Sequence, residues 1–365
     1  MMSHAPPTQR PSYSLRKRKQ PVQSAEESAV GRLISAAALC NNVLLFTGSG
    51  LSATSGMSTF STKGGLYEKA QTRFGVSNGK QLFTFSFYEK HKADAQAFFA
   101  DIYVEAKRAK PGTGHQAIAA LAAAGKLQRH YTLNIDGLAS AAGMSVWHHQ
   151  VAPDGCTVEM HGSIRQLLCP VCGLVIPMND FLSQQLRRRT TIPCTACSCP
   201  ALRSRIMLYG DAEGEKITPD AVWERMEDDV QAADLILWVG ISFEQSASTM
   251  YFRRVRQFLA QAGRLDTTQQ ALINLSDESL WNLLSACSNT GSLEVMEVLG
   301  TCDEVLKLVA AAVCKPAGTP TDLSNVPQPA VADSAEQPPA AKKTGKKEAS
   351  KVLPGANVLT IATAE

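Results

Sequence analysis

The chain has 365 residues, 44% of them hydrophobic and 19% charged, with a formal net charge of +3. That is enough apolar material for one large domain with a smaller satellite or for two medium domains, and no stretch approaches the roughly 18 uninterrupted apolar residues of a helical membrane span. Residues 1–25 carry five basic residues and no acid, while residues 316–365 balance, which leaves −2 for the middle of the chain. A weakly acidic middle is a poor partner for nucleic acid, so any such contact is expected through the basic tails.

Residues 1–24 hold Pro6, Pro7, Pro11 and Pro21 and almost nothing apolar, and read as a disordered basic arm. Within it, Leu15-Arg16-Lys17-Arg18-Lys19-Gln20-Pro21 fits a nuclear-localisation patch. No apolar h-region is visible, and the basic residues are clustered, not spread along an amphipathic helix. Nucleus or cytoplasm is therefore expected ahead of secretion or a mitochondrial transit peptide. Ser24-Ala25-Glu26-Glu27 fits a capping box, so folding is expected to begin there. Val30, Leu33, Ile34 and Ala37 follow at helical spacing.

Val43-Leu44-Leu45-Phe46 is apolar throughout and leaves through Thr47-Gly48-Ser49-Gly50, as a strand buried on both faces should. Similar runs recur at Arg129–Leu133, Arg205–Tyr209, Leu235–Val239 and Ala271–Asn274. Helical segments lie between them, which predicts an α/β protein with a parallel sheet. Residues 151–203 interrupt this rhythm and read as an inserted module between two parts of one domain, 25–150 and 204–315. From Pro316 onward there are seven prolines, no aromatic residue and a cluster of Lys342, Lys343, Lys346 and Lys347. That composition predicts a disordered tail over 316–365.

Cys169-Pro170-Val171-Cys172 and Cys194-Thr195-Ala196-Cys197 are separated by 21 residues. Two such knuckles supply four thiolates for one tetrahedral zinc, with Cys199 as an alternative to Cys197. A four-thiolate set leaves no open position, so the Zn2+ is expected to be structural. The pairs fit a reducing compartment better than a disulfide framework.

Gly48-Ser49-Gly50-Leu51-Ser52-Ala53 follows a strand, as a dinucleotide loop should, with Ala53 at the third glycine position. The nearest acid for a ribose is Glu68. Alone this loop also reads as a simple turn. Asn134-Ile135-Asp136 closes the next strand, where ligands gather in open α/β sheets. His161-Gly162 opens the cysteine module. His148, His149 and Cys156 suggest a second metal site or, more simply, a solvated loop.

The order of these pieces resembles the sirtuins, the NAD-dependent protein-lysine deacylases. The likeness spans about residues 26–315 and rests on Thr47-Gly48-Ser49-Gly50-Leu51-Ser52, Ser55-Gly56, Gly65-Leu66-Tyr67, Tyr131-Thr132-Leu133-Asn134-Ile135-Asp136, Met160-His161-Gly162-Ser163, Tyr209-Gly210-Asp211, Gly240-Ile241-Ser242, Ile273-Asn274 and Gly300-Thr301-Cys302-Asp303. It implies a Rossmann-like NAD-binding domain interrupted by a small zinc domain, with an acyl-lysine protein or peptide, histones among the candidates, entering between them. By the same resemblance His161 is the general base, and Asn134 and Asp136 orient the ribose and a water. Gly48, Ser49, Gly50, Ser52, Gly240 and Ser242 surround the phosphates. Phe60 shields the nicotinamide side, Asn274 holds the adenosine ribose, and Cys302 lies at the adenine.

The chain departs from the family pattern after Ser55-Gly56. The usual Ile-Pro-Asp-Phe-Arg is Met57-Ser58-Thr59-Phe60-Ser61, so an NAD-contacting Arg is replaced by Ser61 and an acid by Thr59. Leu133 stands for a Gln, and Tyr209-Gly210-Asp211 for the Phe-Gly-Glu that frames the peptide groove. The expected activity is a divergent but live deacylase. The competing readings are an inactive NAD or ADP-ribose-binding scaffold and a protein ADP-ribosyltransferase.

Overall fold

The computed structural model describes residues 28–287 and 294–314. The expected arm, the Ser24 capping box and the expected tail lie outside these residues. The first described helix, Ala29–Leu39, is capped by Ser28, whose Oγ accepts from the Gly31 N–H at 3.0 Å. A cap of this kind contributes about 1 kcal/mol.

The described strands, in chain order, are β1 Val43–Thr47, β2 Leu127–Thr132, β3 Thr157–Glu159, β4 Gly162–Leu168, β5 Val175–Pro177, β6 Arg203–Ile206, β7 Leu235–Val239, β8 Gln269–Asn274 and β9 Met296–Leu299. Six of them form one sheet in the order β3-β2-β1-β7-β8-β9, with every neighbouring pair parallel. The alternation of side chains explains the apolar runs. Val43 and Leu45 of β1 pack into one layer with the helices Ala29–Leu39, Thr113–Ala123 and Cys302–Val313. Leu44 and Phe46 pack into the opposite layer with the helices Asp220–Ala232 and Ser246–Gln261. Phe46 stacks on Trp238 of β7 and on Tyr131 of β2, with ring centroids 4.4 and 5.1 Å apart.

From β1 the chain winds one way to β2 and β3, and from β7 the other way to β8 and β9. The β1–β7 junction is therefore the point where strand order reverses, and a crevice opens there beyond the carboxyl ends of the strands.

The second sheet is three-stranded and antiparallel, in the order β5-β4-β6. Here two expectations are corrected. The run Arg205–Tyr209 is not a strand of the parallel sheet. Its first residues end β6, where Ser163 pairs with Arg205 and Gly162 with Ile206. The boundaries at 151 and 203 also shift, because Thr157–Glu159 hydrogen-bonds to β2 in the large sheet. The small sheet shares its core with Leu66, Phe98, Phe99 and Ile102 from the helices Leu66–Phe74 and Lys92–Arg108. An apolar stretch alone does not say which sheet it joins, because both cores bury it equally well.

Candidate active site

The crevice at the β1–β7 junction is a cavity of about 400 Å³. Its floor is set by backbone. The Gly48 N–H donates to the Val239 carbonyl at 2.9 Å and the Gly50 N–H to the Gly240 carbonyl at 3.0 Å. A Cβ on Gly48 would stand 2.7 Å from the Gly240 oxygen, and one on Gly50 2.7 Å from the Gly240 Cα. Gly240 itself has φ of +62°, a conformation that L side chains rarely adopt. The three glycines are required by this approach of one loop to the other, whatever the cavity holds.

Asn134 stands at the end of β2 and fixes the same loop from the side. Its Nδ2 donates to the Gly48 carbonyl at 2.9 Å and to Ser52 Oγ at 3.1 Å. Both amide hydrogens are thereby committed, which leaves the amide oxygen to accept. His161 lies on the cavity wall. Its Nδ1 is 3.0 Å from the Leu133 carbonyl. A carbonyl only accepts, so Nδ1 carries the proton and Nε2 holds the lone pair. Burial lowers the His161 pKa to about 4, opposed by that carbonyl bond. The imidazole is therefore neutral at pH 7 and able to take up a proton. The Tyr251 ring lies 5.8 Å from that of His161 and stacks on Trp223.

Gly48, Ser49, Phe60, Asn134, His161, Gly240 and Ser242 line the cavity together. Gly50, Ser52, Asp136, Asn274 and Cys302 do not line it. Asp136 is buried, and its Oδ1 accepts from the Leu138 N–H at 2.8 Å. Asn274 donates to the Ile241 carbonyl at 2.8 Å and to Ser279 Oγ at 2.6 Å, supporting the Gly240–Ser242 loop. Cys302 is buried at the start of the last helix, and burial pushes its thiol up to about 12. Glu68, the nearest acid to the glycine loop in sequence, accepts from the Gly64 N–H at 2.6 Å and does not line the cavity.

The altered segment has its own bonding. Ser61 lines the cavity. The Ser58 N–H donates to Glu105, Lys69 Nζ donates to Ser58 Oγ at 2.5 Å, and Lys69 pairs with Glu105 at 3.0 Å. Phe60 packs against Tyr67 and Phe83, with centroids 5.7 and 5.5 Å away. Tyr209 and Gly210 line the cavity, but Asp211 does not. Its carboxylate is buried and accepts from Arg203 Nη2 at 2.5 Å and Nη1 at 3.1 Å.

Sequence reasoning passed over Trp223, Gln245 and Tyr251. All three line the cavity, and Gln245 Nε2 is buried there without a hydrogen-bond partner. Trp223 and Tyr251 sit on amphipathic helices, where an aromatic residue at apolar spacing looks like any other core position.

The Sγ atoms of Cys169, Cys172, Cys194 and Cys197 lie within 4.8 Å of one another, a set able to hold a metal ion. The Cys172 N–H points to Cys169 Sγ at 3.4 Å and the Ala196 N–H to Cys194 Sγ at 3.4 Å, as expected of two knuckles stabilising thiolates. Cys199 is outside the cluster, with its Sγ donating to the Ala201 carbonyl at 3.4 Å. His148, His149 and Cys156 form no metal-ligating group among the described residues.

The Sir2 family model matches residues 48–246. The chain belongs to the Sir2 family. It is 26% identical over 218 residues to the NAD-dependent histone deacetylase HST3 of Saccharomyces cerevisiae, which covers 51% of this chain and 49% of that protein. It is 32% identical over 173 residues to an NAD-dependent protein deacetylase of Clostridium tetani, covering 46% of this chain and 62% of that protein. The chain thus spans about half to three-fifths of these two relatives. A crystal structure of a Sir2 homologue in complex with NAD superposes with a TM-score of 0.57 at 21% identity, over 77% of this chain and 93% of the other. That likeness carries the fold. No described helix is long and apolar enough to cross a membrane.

Proposed function

We propose that this sirtuin is an NAD-dependent protein-lysine deacylase. The observation that carries this reading is His161. It is a neutral imidazole with Nδ1 tied to a carbonyl and Nε2 unencumbered, on the wall of a cavity whose opposite side is a glycine cradle. NAD fits that cradle by the chemistry of its residues, since the loop N–H groups and the Ser49 and Ser242 hydroxyls suit a diphosphate and Gln245 offers a buried, unpartnered donor. When bound, NAD would supply a ribose carbon from which nicotinamide departs and a ribose hydroxyl oxygen that receives the acyl group.

The protein's own residues then act as follows. Ser49 and Ser242 hydroxyls and the loop N–H groups around Gly48 and Gly240 bind the phosphates. Gly50, Ser52, Asn274 and Cys302 set the shape of those loops. Asn134 presents its amide oxygen to a ribose hydroxyl. His161 Nε2 takes a hydroxyl proton, a contribution of about 10²–10⁴-fold for a placed general base. Asp136 holds the turn after Asn134. Phe60, Leu208 and Tyr209 exclude water from the acyl-lysine. The four cysteines hold one structural zinc, which tethers the β4–β5 hairpin to the segment before β6. The substrate is an acyl-lysine peptide, with histones among the candidates, and the basic run Arg16–Lys19 supports a nuclear site of action.

The test is mass spectrometry of purified protein with NAD and a panel of acetyl-, succinyl- and long-acyl peptides. O-acyl-ADP-ribose and free nicotinamide are the expected products. Covalently modified protein identifies an ADP-ribosyltransferase instead, and NAD binding without turnover identifies a scaffold.

A further inference from the structure

A second cavity, of about 210 Å³, lies beside β3, the strand that leads into the turn carrying His161. Its residues include Glu159, two positions before His161, and Ile217, next to Thr218 of the main cavity. The reading above gives it no role, nor the Trp147-His148-His149 run that walls it.

That wall is a built element. The Trp147 N–H donates to the Thr157 carbonyl at 2.7 Å, and His148 and Ala152 exchange backbone bonds at 3.0 Å each. Arg129 donates to the Gly155 carbonyl, and a Cβ on Gly155 would stand 2.5 Å from the Trp147 backbone. His148–Ala152 is therefore an ordered antiparallel turn with an exposed tip, and Val146 joins Thr157 of β3 by a parallel bridge. The segment presents flat rings: His148 and His149 stack at 4.6 Å with 15° between planes, and Trp147 is 6.2 Å from His149.

The remaining wall is polar. The Glu159 side chain is only 9% exposed, and its Oε2 has no hydrogen-bond partner among the described residues. Arg205 stands 3.6 Å from that oxygen, too far for a hydrogen bond. Two of its N–H groups donate elsewhere, one to Gln166 Oε1 at 3.1 Å and one to the Ile217 carbonyl at 3.3 Å. At the mouth, Glu215 and Lys216 offset one another in charge. A buried carboxylate oxygen that is ion-paired but accepts no hydrogen bond is costly, and here the Glu159–Arg205 pair borders a cavity with an aromatic wall.

We propose that this cavity is a second binding site, for a neutral, flat heteroaromatic base with an exocyclic amine, the amine donating to Glu159 and the ring packing on the Trp147–His149 wall. A net charge on the ligand gains little, since Glu159 and Arg205 together leave none to answer it. A flat ring gains from the aromatic faces. Because the site shares the Glu159–His161 segment with the main cavity, occupancy has a direct route to the position of His161.

The test is calorimetric titration of the full chain with adenine and with purine, which keeps the bicycle and lacks the amine. Adenine is expected to bind one per chain, and purine at least tenfold more weakly. Glu159→Gln and His149→Ala should each weaken adenine at least fivefold. His149 is exposed, so its removal leaves folding intact if Glu159→Gln does not. His161→Ala, which alters only the main cavity, should bind adenine as the wild type does. Absence of binding overturns the proposal, as does equal binding of purine and adenine, wild-type affinity in both wall variants, or loss of binding in His161→Ala. None of these outcomes depends on whether the main cavity turns over NAD.

Discussion

The two walls of the main cavity are made in different ways. The wall from the large sheet is backbone against backbone: Gly48 and Gly50 press on Gly240 with no room for a methyl group. The wall from the small sheet and the segment 57–62 is made of side chains, Phe60, Ser61, Leu208 and Tyr209 among them, backed by pairs that do not themselves line the cavity: Arg203 with Asp211, and Glu105 with Lys69 and the Ser58 N–H. A backbone wall accepts almost no substitution. A wall of side-chain pairs can be rewritten pair by pair, and most of this chain's departures from the family pattern fall there, at Thr59, Ser61, Tyr209 and Asp211, with Leu133 the exception on the large-sheet side.

The largest effect is expected at the cysteines. Cys172→Ser should release the metal and unfold the small sheet, because structural zinc binding in peptide models is worth about 10–16 kcal/mol. Metal content and circular dichroism check this. A variant that stays folded and fully loaded shows that the cluster is not the metal site.

Asp211→Ala comes next, since it leaves the Arg203 guanidinium buried without its main partner. Breaking a buried pair from one side costs about 3–5 kcal/mol, seen in the denaturant midpoint. A loss below ~1 kcal/mol would mean that Glu213, 3.5 Å away, is a full substitute. Gly50→Ala tests the backbone wall: overpacking costs about 1–3 kcal/mol or more, and the β1–β7 loops must part to admit the methyl. A wild-type melting curve and wild-type NAD affinity together would deny that this wall is tight.

Ser61→Arg should give the smallest change. An Arg offers a charged donor fork that Ser lacks, so the KM for NAD should fall, by no more than the roughly 1.5–3 kcal/mol of a hydrogen bond to a charged group. The Ser58–Glu105–Lys69 bonds hold the neighbouring loop in its own shape, so the gain should sit at the low end. Abolished activity would show that the segment excludes the family geometry.

The pH dependence separates two uses of histidine. His161 and His130 have folded pKa values of about 4 and about 3, both lowered by burial. Between about pH 6.5 and these values the unfolded chain takes up protons that the native chain does not, so stability falls as pH falls through that window. Catalysis through His161 should nonetheless persist below pH 6.5, with the acidic limb of kcat/KM well under the usual histidine range. A limb at 6.5 would place the working base elsewhere.

The centre of the sheet was legible because β1 and β7 are buried on both faces and read as near-continuous apolar runs, whereas β2 (Leu-Gln-Arg-His-Tyr-Thr) and β8 (Gln-Gln-Ala-Leu-Ile-Asn) mix polar residues with apolar ones. The edge strands β3 and β9 are short and carry Glu159 and Glu297, so no period stands out. Site residues at strand ends were legible by place and order. Gln245, Trp223 and Tyr251 were not, because their role depends on a crevice formed by segments distant in sequence. The Trp147–His149 segment escaped for a related reason: its order comes from Gly155, Thr157 and Arg129, and none of these announces a wall.

The most direct measurement of the central claim is the rate of O-acyl-ADP-ribose formation from NAD and an acetyl-lysine peptide, read by mass spectrometry for wild type and His161→Ala beside their NAD affinities. A general base acts in the transition state and adds little to ground-state binding. The variant should therefore lose about 10²–10⁴-fold in rate and keep NAD affinity within a few-fold. Equal turnover by the two proteins would contradict the account.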